Sequence, residues 1–163
     1  MINYCVDDIG IEYQNHLWKL DKVKKERPDF RFTAFVIAKG LTPEIIEWLK
    51  QDWIEVGVHC WDHSPPPEPE CEDFEERTKK ALTALKPLMD RVLYRPAGFQ
   101  AVAGNYSVLR RLGVECIVHQ QRLQLLKEKR TIEANLTNLH IYDDYTRILS
   151  NAKPEFQFIS EVI

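Results

Sequence analysis

Strand-like runs rich in β-branched and aromatic residues alternate with helix-patterned segments along the whole chain, an order that folds as parallel strands joined by helical crossovers. Residues 2–6, 30–38 (FRFTAFVIA), 53–60, 91–94, 114–119, 135–142 and 156–163 read as strands. Between the first two, 12–27 carries Leu17, Trp18, Leu20 and Val23 at near-helical spacing until Pro28 stops it. Thr42, Pro43 and Glu44 open another helix as N-cap, first-turn proline and early acid. Residues 71–89 place Phe74, Ala81, Leu82 and Leu85 on one helical face, and 105–112 form a short helix closed by Gly113. The charged stretch 122–129 is expected to be helical as well. A flat doubly wound sheet and a closed or nearly closed β/α barrel both satisfy this order. No G-x-G-x-x-G turn follows a strand, which removes the usual nucleotide-binding form.

At 163 residues the chain suffices for one compact domain, taken as 1–163. A net charge of −3 with both signs interspersed gives no electrostatic footprint for nucleic acid. No apolar run approaches the roughly 20 residues of a transmembrane helix. The start, Met1 to Asp8, reads as a strand rather than a signal peptide, so a cytoplasmic location is expected. Cys5, Cys60, Cys71 and Cys116 contain no C-x-x-C pair and are expected as reduced, mostly buried thiols.

Parallel β/α architectures collect their reactive side chains at the C-terminal ends of strands. Asp7 and Asp8 follow the first strand, His59 and His63 the third, Arg95 the fourth, and His140 ends a later one. His59-Cys60-Trp61-Asp62-His63 places two imidazoles four residues apart, a spacing from which both can reach one ion at about 2.0–2.1 Å. A carboxylate added to this pair leaves positions open for water and substrate, as a catalytic centre requires. Side chains alternate along a strand, so Asp7 and Asp8 point differently, one free to ligate and the other to accept a proton. His119 is expected as a core or rim residue, His16 as solvated, and the acids of 68–76 as a solvated loop and helix start. Cys60 should point away from the ion. Trp61 either lines the site or packs on the barrel rim.

Taken in order, V-D-D-I-G, G-V-H-C-W-D-H, Y-R-P-A-G-F and L-T-N-L-H, spanning residues 6–140, resemble the motifs of the polysaccharide deacetylase (NodB-homology) family of carbohydrate esterases. The resemblance implies a distorted, compact (β/α) barrel, here with fewer than eight strands, and a metal-dependent N-deacetylase acting on a sugar. It assigns Asp7 as general base, with Asp8, His59 and His63 holding one divalent ion, zinc or alternatively cobalt or nickel. Arg95 would orient Asp7, and His140 would protonate the leaving amine. Leu139 would line the acyl pocket. Pro96, Gly98 and Phe99 would bring backbone close to the substrate, Gly98 through its conformational freedom. The partner implied is a carbohydrate or small molecule; oligomeric state is not legible.

Two features depart from the family pattern. No Asp or Trp lies between Asp90 and Asp143, so the acid that tunes the catalytic histidine is missing or comes from Asp143 or Asp144. The tryptophan wall of the substrate groove is missing too. H-x-W-D-H also resembles a deformylase branch acting on a lipid-linked amino sugar. A carbohydrate- or metal-binding module without turnover is the reading of a second class. A purely structural metal is a third, although such sites are usually closed four-ligand sets rich in cysteine.

Overall fold

Every residue of β2 (Phe32–Ile37) is buried, as expected of a strand covered on both faces in a parallel sheet. It lies between β1 (Ile2–Ile9) and β3 (Ile54–Cys60), both parallel to it. The computed structural model describes residues 1–99 and 103–163. The remaining elements are α1 (Trp18–Glu26), α2 (Pro43–Leu49), α3 (Phe74–Leu85), β4 (Leu93–Tyr94), α4 (Tyr106–Arg111), β5 (Cys116–Val118), β6 (Arg122–Leu125), β7 (Arg130–Glu133), β8 (Leu136–Asn138), α5 (Tyr145–Asn151) and β9 (Phe156–Gln157). Strands are ordered β7-β6-β5-β4-β3-β2-β1-β8, with β9 also pairing β1. No pair joins β7 to β8 among the described residues, so the sheet is a curled, open form of the distorted (β/α) barrel.

Successive residues of the central strands feed opposite cores, following the period of two. Tyr4 and Val6, Phe32 and Ala34, and Val56 and Val58 belong to the larger cluster shared with the helices. Cys5, Phe35, Leu93 and Cys116 face a second cluster with Leu123, Leu125 and Leu136. A Cβ at Gly57 would stand 2.6 Å from the Phe35 ring, so glycine in mid-strand is what admits that ring. Thr42 caps α2 as expected, its hydroxyl accepting from Ile45 N at 3.3 Å, and Gly113 turns the chain after α4 at φ +91.

The described residues carry nine strands, more than the fewer than eight expected, because residues 122–133 form an antiparallel hairpin instead of a helix. Leu123 and Leu125 are buried while Arg122 and Gln124 are not, a period of two that the helix-favouring run L-L-K-E-K obscured. The last strand ends at Gln157, beyond which Ile159–Glu161 is a 3₁₀ turn. Helix α5, absent from the sequence reading, is capped by Asp144, whose carboxylate accepts from Arg147 N. Cys5, Cys60 and Cys116 are buried and Cys71 half-buried, all free thiols. No helix among the described residues is long and apolar enough to cross a membrane.

Candidate metal centre and catalytic pocket

Both strands that carry the candidate ligands break register at the ligand itself. Between Val6 and Ile9, β1 has one residue more than its partner, and Asp8 sits there at φ +61. Between Val58 and Cys60, β3 has one residue more than β2, and that residue is His59. A bulge re-aims a side chain that strict alternation would send elsewhere, and aspartate is among the few residues that tolerate positive φ. Asp7 and Asp8 therefore line the same cavity rather than opposite faces.

The cavity, of about 150 Å³, opens between Asp7, Asp8, His59 and His63 on one side and the Asn138–Tyr142 segment on the other, with Gly98 and Phe99 at its edge. Oδ1 of Asp8 faces Nε2 of His59 at 3.3 Å and Nε2 of His63 at 3.4 Å. That oxygen is buried and makes no hydrogen bond. Two ligands about 2.0–2.1 Å from a tetrahedral ion stand roughly 3.3 Å apart, so both spacings suit a shared ion. One donor atom from each of the three residues falls within 4.8 Å of the others. His59 Nδ1 lies 2.8 Å from the Arg95 carbonyl. As the donor of that bond it leaves Nε2 as a lone pair facing Asp8, the usual way of fixing a ligating imidazole.

Electrostatics in this cluster run against desolvation. Burial favours the neutral Asp8 carboxyl, but His59, His63 and His140 outweigh it and hold its pKa below the ordinary carboxylate value. Burial likewise favours neutral His59, yet Asp8, Asp7 and the Arg95 carbonyl raise its pKa above 6.5. A raised histidine pKa stabilises the metal-free fold below its unfolded value near 6.5, a contribution lost as pH rises through the folded value. The depressed Asp8 contribution is present above 3.8 and lost only in acid. An ion, in contrast, needs its histidines deprotonated. Melting of chelator-treated protein should therefore lose His59's contribution as pH rises above about 6.5, while the increase in Tm on adding zinc grows over the same interval. A zinc increment that is flat across that range would contradict this donor set.

Arg95 is 1% exposed and joins three strand ends. It donates from Nη1 to Asp7 Oδ1 at 3.2 Å and Asn138 Oδ1 at 2.7 Å, and from Nη2 to the His119 carbonyl at 3.3 Å. Its guanidinium lies 5.3 Å from the Phe35 ring centre and 4.9 Å from that of Phe99. Gly57, by admitting Phe35, thus supports the charge beside Asp7.

His140 is exposed at the cavity mouth, and Leu139 is buried in the wall. The partner of His140 Nδ1 is the Tyr142 hydroxyl at 3.1 Å, with the two rings stacked at 5.2 Å. Neither nearby aspartate takes that place: Asp143 faces Arg147 at 3.6 Å and Asp144 caps α5. Lys19, 8% exposed, braces the same segment by donating to the carbonyls of Asp143 and Ile141, and its ammonium also meets His16. His16 is therefore half-buried and bonded rather than solvated.

Pro96 and Trp61 are not on the cavity wall. Pro96 is buried beneath the loop, and Trp61 packs against the main core with Lys80 over its ring. Cys60 points into a small cluster with Ile37 and Ala97, and burial pushes its thiol pKa up. His119 is a rim residue bonded to Gln124. Glu68, expected in solvent, is buried. Residue spacing could have pointed to Asn138 and Tyr142, two positions either side of His140; nothing in the acid-rich 68–76 segment distinguishes Glu68.

No protein-family model and no curated protein matches the sequence. Solved structures do match in fold. A CE4 family pseudoenzyme from Bacillus anthracis aligns with a TM-score of 0.64 at 13% identity over 99% of this chain, which spans 64% of that protein. A family 4 carbohydrate esterase from Streptomyces lividans, in complex with acetate, aligns with a TM-score of 0.66 at 15% identity, covering 92% of this chain and 86% of that one. A family 4 acetyl xylan esterase from Clostridium thermocellum, in complex with a cobalt ion, gives 0.61 at 12% identity over 99% and 89%. The fold is that of the CE4 polysaccharide deacetylases.

Proposed function

We propose that the chain hydrolyses a small N-acyl group on a sugar or sugar-like substrate, using one divalent ion held by Asp8, His59 and His63. The observation that carries this reading is the unbonded Oδ1 of Asp8, held by a bulge opposite two imidazole nitrogens in one cavity with Asp7 and His140. The bound ion would polarise the amide carbonyl and bring the pKa of an attached water toward about 7. A mixed N/O donor set suits zinc and also admits cobalt or nickel.

The chain's own groups divide the remaining work. Asp7, oriented through Oδ1 by Arg95, takes the proton of the attacking water. The amides of Arg95 and Phe99 are committed to Val58 and Pro96 carbonyls, and Pro96 has none. Ala97 is buried against Ile37 and Cys60, whereas Gly98 lines the cavity, so the Gly98 N–H is the loop's donor toward the developing oxyanion. Leu139 and Ile141 offer an apolar surface to the acyl group. His140 protonates the departing amine, and Tyr142 stands in for the absent acid by holding Nδ1. General acid catalysis contributes about 10²–10⁴-fold, so Tyr142→Phe, which keeps the ring and loses the hydroxyl, should lower kcat by roughly tenfold. Unchanged kcat would show that the hydroxyl does not orient the acid.

The test is amine release from a panel of N-acetyl and N-formyl amino sugars, free, oligomeric and lipid-linked, with metal and with chelator. Expected is a release that chelator abolishes and metal restores; preference for formyl over acetyl would favour the deformylase variant. Bound metal without turnover on the whole panel would favour a non-catalytic carbohydrate- or metal-binding module. The exposure of His140, with no carboxylate hydrogen-bonded to its ring among the described residues, is the observation on that side.

A further inference from the structure

We propose that Glu68 is a positioning residue for the metal loop, its buried carboxylate holding the two backbone amides that precede His63. This rests on the reading of Asp8, His59 and His63 as the ligand set. The two histidines are secured in different ways. His59 is 3% exposed and its Nδ1 is tied to the Arg95 carbonyl. His63 is 40% exposed in its side chain, and its contacts are Asp8 and the His59 ring face at 5.1 Å. Where His63 sits therefore depends on the backbone that delivers it.

Glu68 controls that backbone from the inside. It is 1% exposed, and no ion pair to a cation is found for it among the described residues. Its carboxylate accepts from Trp61 N at 3.1 Å to each oxygen and from Asp62 N at 2.9 Å to Oε2. A carboxylate buried without a cation is costly unless its lone pairs are taken up, and here they are taken up by the chain turning from β3 into His63. Pro65, Pro66, Pro67 and Pro69 around it restrict the returning segment, which closes as a 3₁₀ turn over Glu68–Glu70. The outer side of the same loop is held by Lys39, through its ammonium on Asp62 at 2.9 Å and its N–H on the Trp61 carbonyl at 2.9 Å, and by Asp62 Oδ1, which accepts from Ser64 N at 3.0 Å and Ser64 Oγ at 2.7 Å.

Residues that orient metal ligands from behind commonly change metal affinity by 10–100-fold when replaced. The experiment compares wild type, Glu68→Gln and Glu68→Ala for zinc affinity by chelator competition, the cobalt d–d spectrum, and Tm with and without zinc. Expected is at least tenfold weaker zinc binding in E68A, an altered cobalt spectrum and a smaller Tm gain on zinc. One amide oxygen can reach both backbone donors, so E68Q should fall between, about threefold weaker or more. If E68A does not fold, E68Q carries the comparison. Variants that lose Tm equally with and without zinc, yet keep wild-type affinity and spectrum, would overturn the proposal and leave Glu68 as a loop anchor. A wild type that binds no ion would instead remove the centre itself, and both readings with it.

Discussion

With His59 and His63 both replaced by alanine, the protein should bind no stoichiometric zinc and release no amine from an N-acyl sugar. Asp8 alone remains of the three donors, and one carboxylate does not hold a zinc ion against solvent. Polarisation of the carbonyl by a metal is worth several kcal/mol. At 1.36 kcal/mol per factor of ten, the loss is at least about 10³-fold in kcat. The fold itself should persist with a moderate loss, because removing the buried His59 ring leaves the Arg95 carbonyl without its partner, about 1–3 kcal/mol, and takes from Asp8 the imidazoles that offset its burial. Elemental analysis and amine release, with circular dichroism as the check on folding, decide it. A double variant that keeps one equivalent of metal would place the ion elsewhere, and one that keeps activity without metal would end the metal-hydrolase reading.

Much of the site was legible because its residues sit at strand ends, and strand ends can be read from periodicity. The β1, β2 and β3 runs, the N-cap at Thr42 and the H-x-x-x-H spacing all depend on local pattern, and local pattern is what a sequence displays. Three features did not depend on it. The bulges at Asp8 and His59 are mismatches between two strands, so neither strand shows them alone. The 122–133 hairpin was hidden because Lys127, Glu128 and Lys129 favour a helix, while pairing with β5 decides for a strand. Glu68 was misplaced, and the burial of Lys19 was not read at all, because burial of a charge is set by backbone partners elsewhere in the chain, 6–7 residues away for the first and 122–124 for the second.

Arg95→Met should be the most destabilising single change at the site, by about 3–5 kcal/mol, because it breaks a buried charge pair from one side. Methionine keeps much of the stem and the contact with Phe35 and Phe99, so the cost comes chiefly from what is left unpaired. Asp7 loses its cation, Asn138 Oδ1 its donor at 2.7 Å, and the His119 carbonyl its bond from Nη2. Lysine should rescue little, since an ammonium's donors radiate from one nitrogen and cannot span acceptors on three strand ends, and it lacks the planar guanidinium that reaches both the Phe35 and Phe99 rings. The uncompensated carboxylate can be separated from lost packing by adding Asp7→Asn. The double variant should regain about 1–2 kcal/mol over R95M alone if the carboxylate dominates, a coupling of the size expected for groups in direct contact. Urea denaturation of the four proteins measures it. An R95M variant within about 1 kcal/mol of wild type would mean that water replaces the guanidinium at little cost. The charge beside Asp7 would then serve the reaction and not the fold, and kcat would fall while stability held.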